Sequence, residues 1–123
     1  MNSKLSMVLR LILGLILLVF GANKFFTFLP MPPMEGASME FIAAITATGY
    51  MFKFIAITEI FSGALLILNK WVGLAQILSA IIIVNIVAFH LVLDLPGIGF
   101  GAVMAVLSIL LFYANWSKFK NLF

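Results

Sequence analysis

Cysteine is absent from this sequence. That excludes a disulfide framework, a CxxC redox pair, thiolate-bound metal and covalently attached c-type haem. Charge is almost as scarce. Acidic and basic side chains make up 9% of the residues, against about a quarter in ordinary soluble domains. The net charge of +3 rests on seven cations and four acids, too few for a nucleic-acid surface. There is one histidine. With one His, one Asp and a distant Glu to draw on, no protein metal site is expected. A b-type haem would need a second axial ligand from Met or from another subunit. No cofactor is therefore predicted from the residues themselves.

What is abundant is apolar surface. Hydrophobic residues form 65% of the 123, and the mean hydropathy is +1.28. This is membrane composition, and the lipid bilayer is the first expected partner. The length suits a single domain, residues 1–123, of about four spans at roughly 20 residues each.

The hydrophobic runs place these spans at about 5–28, 50–68, 71–93 and 98–116. The first, with Lys4 and Arg10 ahead of an apolar core, also has the outline of a signal peptide, with small residues at Gly21-Ala22. Its apolar run continues through Phe25, Phe26, Phe28 and Leu29, past the usual length of about 7–15 residues, so a retained span is expected. Pro30, Pro32 and Pro33 break the helix that follows. Ser38 is the expected N-cap of a short helix at about 39–48, with Glu40 in its first turn and Gly49 to end it. That helix is too short to span and is read as interfacial or re-entrant. Asn69-Lys70 marks a tight turn, and Asp94-Leu95-Pro96-Gly97 a second break. The fold class is thus all-α: an integral membrane four-helix bundle with a short extra helix between the first two spans.

Lys4, Arg10, Lys70, Lys118 and Lys120 fall on one side of this arrangement. Lys24 and Lys53, with three of the four acids, fall on the other. The positive-inside rule then puts both termini in the cytoplasm. Trp71, Tyr113 and Trp116 would form the inner aromatic belt, and Tyr50 part of the outer one.

Glu59, near the middle of the second span, is the residue that most needs explaining. A carboxylate at that depth costs a few kcal/mol or more unless it is paired, protonated or facing water. Its stripe holds Phe52, Ile55, Ser62, Gly63 and Leu66. In the first span Arg10, Gly14, Gly21 and Lys24 share an arc of about 80°, and glycines mark faces where membrane helices approach closely. Lys24 and Arg10 lie roughly 8 Å from Glu59 in depth, on opposite sides. Either is within reach as a partner, and both also sit where they can snorkel to an interface. In the third span Gln76, Ser79, His90 and Asp94 share one face, with Asn85 on the opposite one. His90 and Asp94 are one turn apart, so the carboxylate can orient the imidazole. Two readings stand for these groups: hydrogen-bonding glue, or a functional site with Glu59 and His90 as catalytic residues and Arg10, Lys24, Glu59, Asn85, His90 and Asp94 as ligand contacts. The fourth span carries Gly101, Ala105 and Ser108 as a small-residue packing stripe.

Taken together, several pieces resemble the DoxX family of small four-helix membrane proteins, almost from end to end. They are Arg10 with Gly14, Phe20-Gly21-Ala22-Asn23-Lys24-Phe25-Phe26, the stretch from Phe28 to Met34 with its prolines, Phe41 to Tyr50, Glu59 with Gly63 and Leu65-Leu66, and Val84-Asn85-Ile86 with Phe89-His90. The resemblance implies a four-helix bundle of the bacterial inner membrane with an Arg, a Lys, a Glu and a His as its polar residues. It also implies an association with membrane redox metabolism, through the DoxD-like subunit of a thiosulfate:quinone oxidoreductase and through complexes for oxidative-stress defence.

Three functions follow as expectations. The first is an accessory subunit in quinone-linked redox metabolism, not an enzyme on its own, held to a membrane or peripheral redox partner. The second is a binding protein or enzyme for an amphipathic molecule such as a quinone or lipid, its head near Lys24, Glu59 and His90. In the enzyme version Glu59 or His90 moves a proton, and Lys24 or Arg10 stabilises an oxyanion. The third is a purely structural scaffold. A transporter is disfavoured, because the chain shows no repeat and no continuous polar stripe, although a homo-oligomer would change that geometry.

Overall fold

Helix boundaries follow from a few local hydrogen bonds. In a computed structural model describing residues 2–30 and 34–123, α1 (Ser3–Phe26) begins where the Asn2 side chain accepts the Lys4 amide at 2.7 Å. It stops two residues short of the expected end. Thr27 turns left-handed at φ 45°, and the Asn23 carboxamide oxygen takes the Leu29 amide at 2.7 Å. Of the proline segment, Met31, Pro32 and Pro33 lie outside the described residues.

The short helix α2 (Ala37–Ala47) starts earlier than the sequence suggests. Ser38 does not cap it. Gly36, at φ 62°, occupies the N-cap position, and the buried Ser38 hydroxyl donates back to the Glu35 carbonyl at 3.0 Å. Only a residue without a Cβ takes that φ at little cost, which moves the cap to the glycine. At the other end Gly49 (φ 80°) reverses the chain, and the Thr48 hydroxyl accepts the Met51 amide at 3.0 Å to start α3 (Met51–Leu68).

α3 ends at Asn69, left-handed at φ 57°, with Lys70 N–H bonded to the Leu65 carbonyl at 3.0 Å and Asn69 N–H to that of Leu66 at 3.3 Å. This is a Schellman closure with Asn in the glycine position. Trp71 (φ 47°) completes the turn into α4 (Val72–Leu93). A single 3₁₀ turn, Leu95–Gly97, then leads to α5 (Gly99–Ala114).

The four longer helices pack in a cycle: α1 on α3, α3 on α4, α4 on α5 and α5 on α1, while α2 rests on α3 and α4. Neighbours run antiparallel. Gly14 faces Gly63 and Leu66, whereas Gly21, further along α1, faces Ala56 and Glu59, earlier in α3. Unlike a soluble bundle, the exterior is apolar, and several polar side chains join the leucines of the core. Glu59, Ser62, Gln76, Ser79 and Ser108 are buried, while Phe54, Ile57, Ile81, Val84 and Ile109 are each more than half exposed. Such an exterior suits lipid rather than water, and the chain is read as an integral membrane protein.

α1, α3 and α4 are long and apolar enough to cross a membrane. α5, at 16 residues, is about 24 Å long, short of a hydrocarbon core of about 30 Å. It makes a fourth candidate together with the segment Trp116–Leu122, which is bent 71° from it. The basic tail is therefore part of the fold. Its Phe119 is buried against Phe112, ring centroids 4.7 Å apart.

Candidate functional site

The site begins with backbone contact between α1 and α3. Gly14 and Gly21 are seven residues apart, as are Ala56 and Gly63, so each pair returns to the same helical face. A Cβ on Gly21 would lie 2.9 Å from the Ala56 carbonyl oxygen and 3.1 Å from the Glu59 Cβ. Without it, the Glu59 side chain lies directly against the α1 backbone. Lys24 is one turn beyond Gly21 on that face, in the last turn of α1, where the helix dipole favours a cation.

Lys24 Nζ stands 2.7 Å from Glu59 Oε1. The contact is an ion pair without the alignment of a full hydrogen bond. Glu59 Oε2 has no polar partner among the described residues, nor does the Ser62 hydroxyl one turn further along the same face. The Glu59 side chain is 1% exposed and that of Lys24 22%, so the acid is sealed in while the amine reaches outward. Nζ also lies 5.8 Å from the Phe52 ring centroid, within cation–π range.

Outside the ion pair runs a groove of about 450 Å³ between the end of α1, α2 and the start of α3. Lys24 and Lys53 supply its charge, and Phe25, Ile42, Tyr50 and Phe52 most of its apolar wall. Its lining combines a few polar groups with aromatic walls, as small-molecule sites commonly do. An ammonium has three donors and no acceptor. Glu59 lies on one side of it and the groove on the other, so the amine has donors to offer an oxygen acceptor there.

The other sequence-selected residues lie elsewhere. Arg10 does not meet Glu59. Its Nη1 donates to the carbonyl of Leu66 and, at 3.3 Å, to that of Ile67, capping the C-terminal end of α3. His90 and Asp94 form their own pair, Nδ1 to Oδ2 at 3.5 Å, at the end of α4. The imidazole packs edge-on to Phe89 and against Gly101 of α5. No ion pair or hydrogen bond joins this pair to Lys24 or Glu59 among the described residues. Asn85 is exposed on the outer face of α4, its side-chain amide donating to the Ile81 carbonyl at 2.9 Å. Among the described residues no cluster of three metal-ligating side chains occurs.

The sequence reading passed over Lys53 and the aromatic wall of the groove. By position along the chain Lys53 is a flanking charge, and the three aromatic residues of the groove, Phe25, Tyr50 and Phe52, come from the end of α1 and the start of α3. It also passed over the hydrogen bond from Asn115 Nδ2 to the buried Gln76 Oε1, 2.7 Å, which ties α5 to α4.

No curated protein and no solved structure matches the chain. The DoxX family model matches residues 5–92, a stretch that contains Arg10, the Lys24–Glu59 pair and His90. With most of its length covered by that match, the chain belongs to the DoxX family.

Proposed function

We propose that this DoxX protein binds the oxygen-bearing head of an amphipathic molecule, such as a quinone, in the groove that ends at Lys24. The observation that carries this reading is the ion pair itself: a sealed Glu59 holds an amine that lines an aromatic-walled groove. A quinone carbonyl accepts from Lys24, its ring lies along Phe25 and Phe52, and its tail leaves toward lipid. Glu59 fixes the amine and balances its charge. The role is that of an accessory subunit in quinone-linked redox metabolism, a setting supported by the family resemblance. In this reading the chain is a four-span bundle of the bacterial inner membrane with both termini cytoplasmic. α2 lies at the interface and forms one wall of the groove.

Titration of the purified protein in nanodiscs with a short-chain quinone, followed calorimetrically, tests this. Saturable binding to the parent protein that is lost in Lys24→Met supports it. Equal binding by both proteins, or none by the parent, overturns it.

A further inference from the structure

At the opposite end of the bundle lies a second, larger cavity of about 610 Å³. Three cations line it from two segments: Lys4 in the first turn of α1, Arg10 nearly two turns further along the same helix, and Lys118 in the bent tail. Asn69 and Asn115 add amide side chains, and Ser6 a hydroxyl.

No acidic side chain balances these charges. The sequence has four acids. Glu35 and Glu40 lie before and within α2, Glu59 is paired with Lys24, and Asp94 stands beside His90, all away from this cavity. Three like charges around one cavity at a membrane surface repel one another, and an anion among them removes that cost.

The positive-inside rule explains why cations gather at this end, but flanking lysines need only snorkel outward. Arg10 does not. It is half-buried, and its Nη1 is fixed on the Leu66 and Ile67 carbonyls, which leaves the rest of the guanidinium to bind a planar or tetrahedral oxyanion. Asn115 is likewise held, through its bond to Gln76. Behind it, the buried Gln76 Nε2 has no partner among the described residues. Two helix N-termini also meet the cavity. Ser3 opens α1, and Val72 opens α4, which has no side-chain cap. The C-terminal ends of α3 and α5, at Asn69 and Asn115, meet the same cavity and offset these dipoles, so its positive character rests on the three cationic side chains.

We infer that this cavity is a binding site for a phosphate group, held by Lys4, Arg10 and Lys118. Two sources present that chemistry: the headgroup of an acidic phospholipid in the adjacent leaflet, or phosphate from solution. The site is separate from the Lys24 groove and does not depend on the function proposed for it.

Delipidated protein in neutral detergent provides the test, read by thermal unfolding and native mass spectrometry. The probes are phosphatidylglycerol, phosphatidylcholine and inorganic phosphate, with sodium chloride as ionic-strength control. Variants Lys4→Gln and Lys118→Gln are combined, because both side chains are exposed and neither takes part in helix capping through its side chain. Stabilisation and a retained 1:1 adduct with phosphatidylglycerol, exceeding those with phosphatidylcholine, identify the lipid as the source. Stabilisation by millimolar phosphate with no preference between the lipids identifies the soluble anion. In either case the double variant binds roughly thirtyfold more weakly, the change corresponding to about 1 kcal/mol for each lysine. Equal shifts with both lipids and no effect of phosphate beyond that of chloride would overturn the site. So would a double variant that binds as the parent does.

Discussion

Gly63 and Gly14 meet backbone to backbone: a Cβ on Gly63 would stand 2.6 Å from the Gly14 carbonyl oxygen and 2.8 Å from the Leu18 nitrogen. Both obstacles are main chain, so neither can swing aside. This contact sets the spacing of α1 and α3 at which Lys24 reaches Glu59.

Gly63→Ala is therefore expected to destabilise the protein by about 1–3 kcal/mol, the usual cost of overpacking. It should also disturb the ion pair from a distance. Thermal unfolding in detergent measures the first effect. Weakened quinone binding, with Lys24 and Glu59 both intact, reports the second.

Removing either partner of the Lys24–Glu59 pair should not cost the same. Lys24→Met leaves a buried carboxylate unpaired and is expected to cost about 3–5 kcal/mol. Glu59→Gln leaves the lysine a path outward, since its side chain is already 22% exposed, and should cost less. The double variant should recover part of the loss. A double-mutant cycle on unfolding free energies checks the order. Equal single losses that simply add would show that the pair is not coupled.

Arg10→Ala removes the cap on Leu66 and Ile67. A cost of about 1.5–3 kcal/mol is expected for hydrogen bonds to a charged group. The local sign should be faster amide exchange at Asn69 and Lys70, whose N–H groups bond to Leu66 and Leu65. Hydrogen exchange followed by mass spectrometry reads this directly. Exchange unchanged in the α3–α4 turn would contradict the capping role.

Phe119→Ala should release the tail. The ring is 2% exposed and packs on Phe112, so its loss is expected to cost about 3–5 kcal/mol. Limited proteolysis should then cut at Lys118 or Lys120 faster than in the parent protein.

His90→Ala separates the two polar clusters. The His90–Asp94 pair is partly exposed and stands apart from Lys24, so this variant should bind quinone as the parent does and lose little stability, about 0–1 kcal/mol. A large loss of binding would mean that the two clusters join when ligand enters.

Much of the helical layout was legible beforehand, because an apolar run of span length has few alternatives in a bilayer. The glycines of α1 and α3 also pointed correctly to an inward face, since small residues at seven-residue spacing stay on one side of a helix. Boundaries were less legible. The end of α1 depends on the Asn23 side chain, and the start of α2 on a left-handed glycine rather than on Ser38. The burial of Phe119 could not be read from a tail that is half polar.

For the site, residue order alone determined that one acid lies mid-span and that two cations on one α1 face are within reach of it. Only the tertiary structure chose between them. α3 ends at Asn69, so the carbonyls of its last turn lie beside Arg10 and hold that guanidinium, while Gly21 lets Glu59 approach Lys24. It also set His90 and Asn85 apart from that pair and enclosed two cavities between segments distant in the chain. Helical period fixes which face a residue occupies. Which neighbour fills that face is decided by how closely, and at what height, the helices pack.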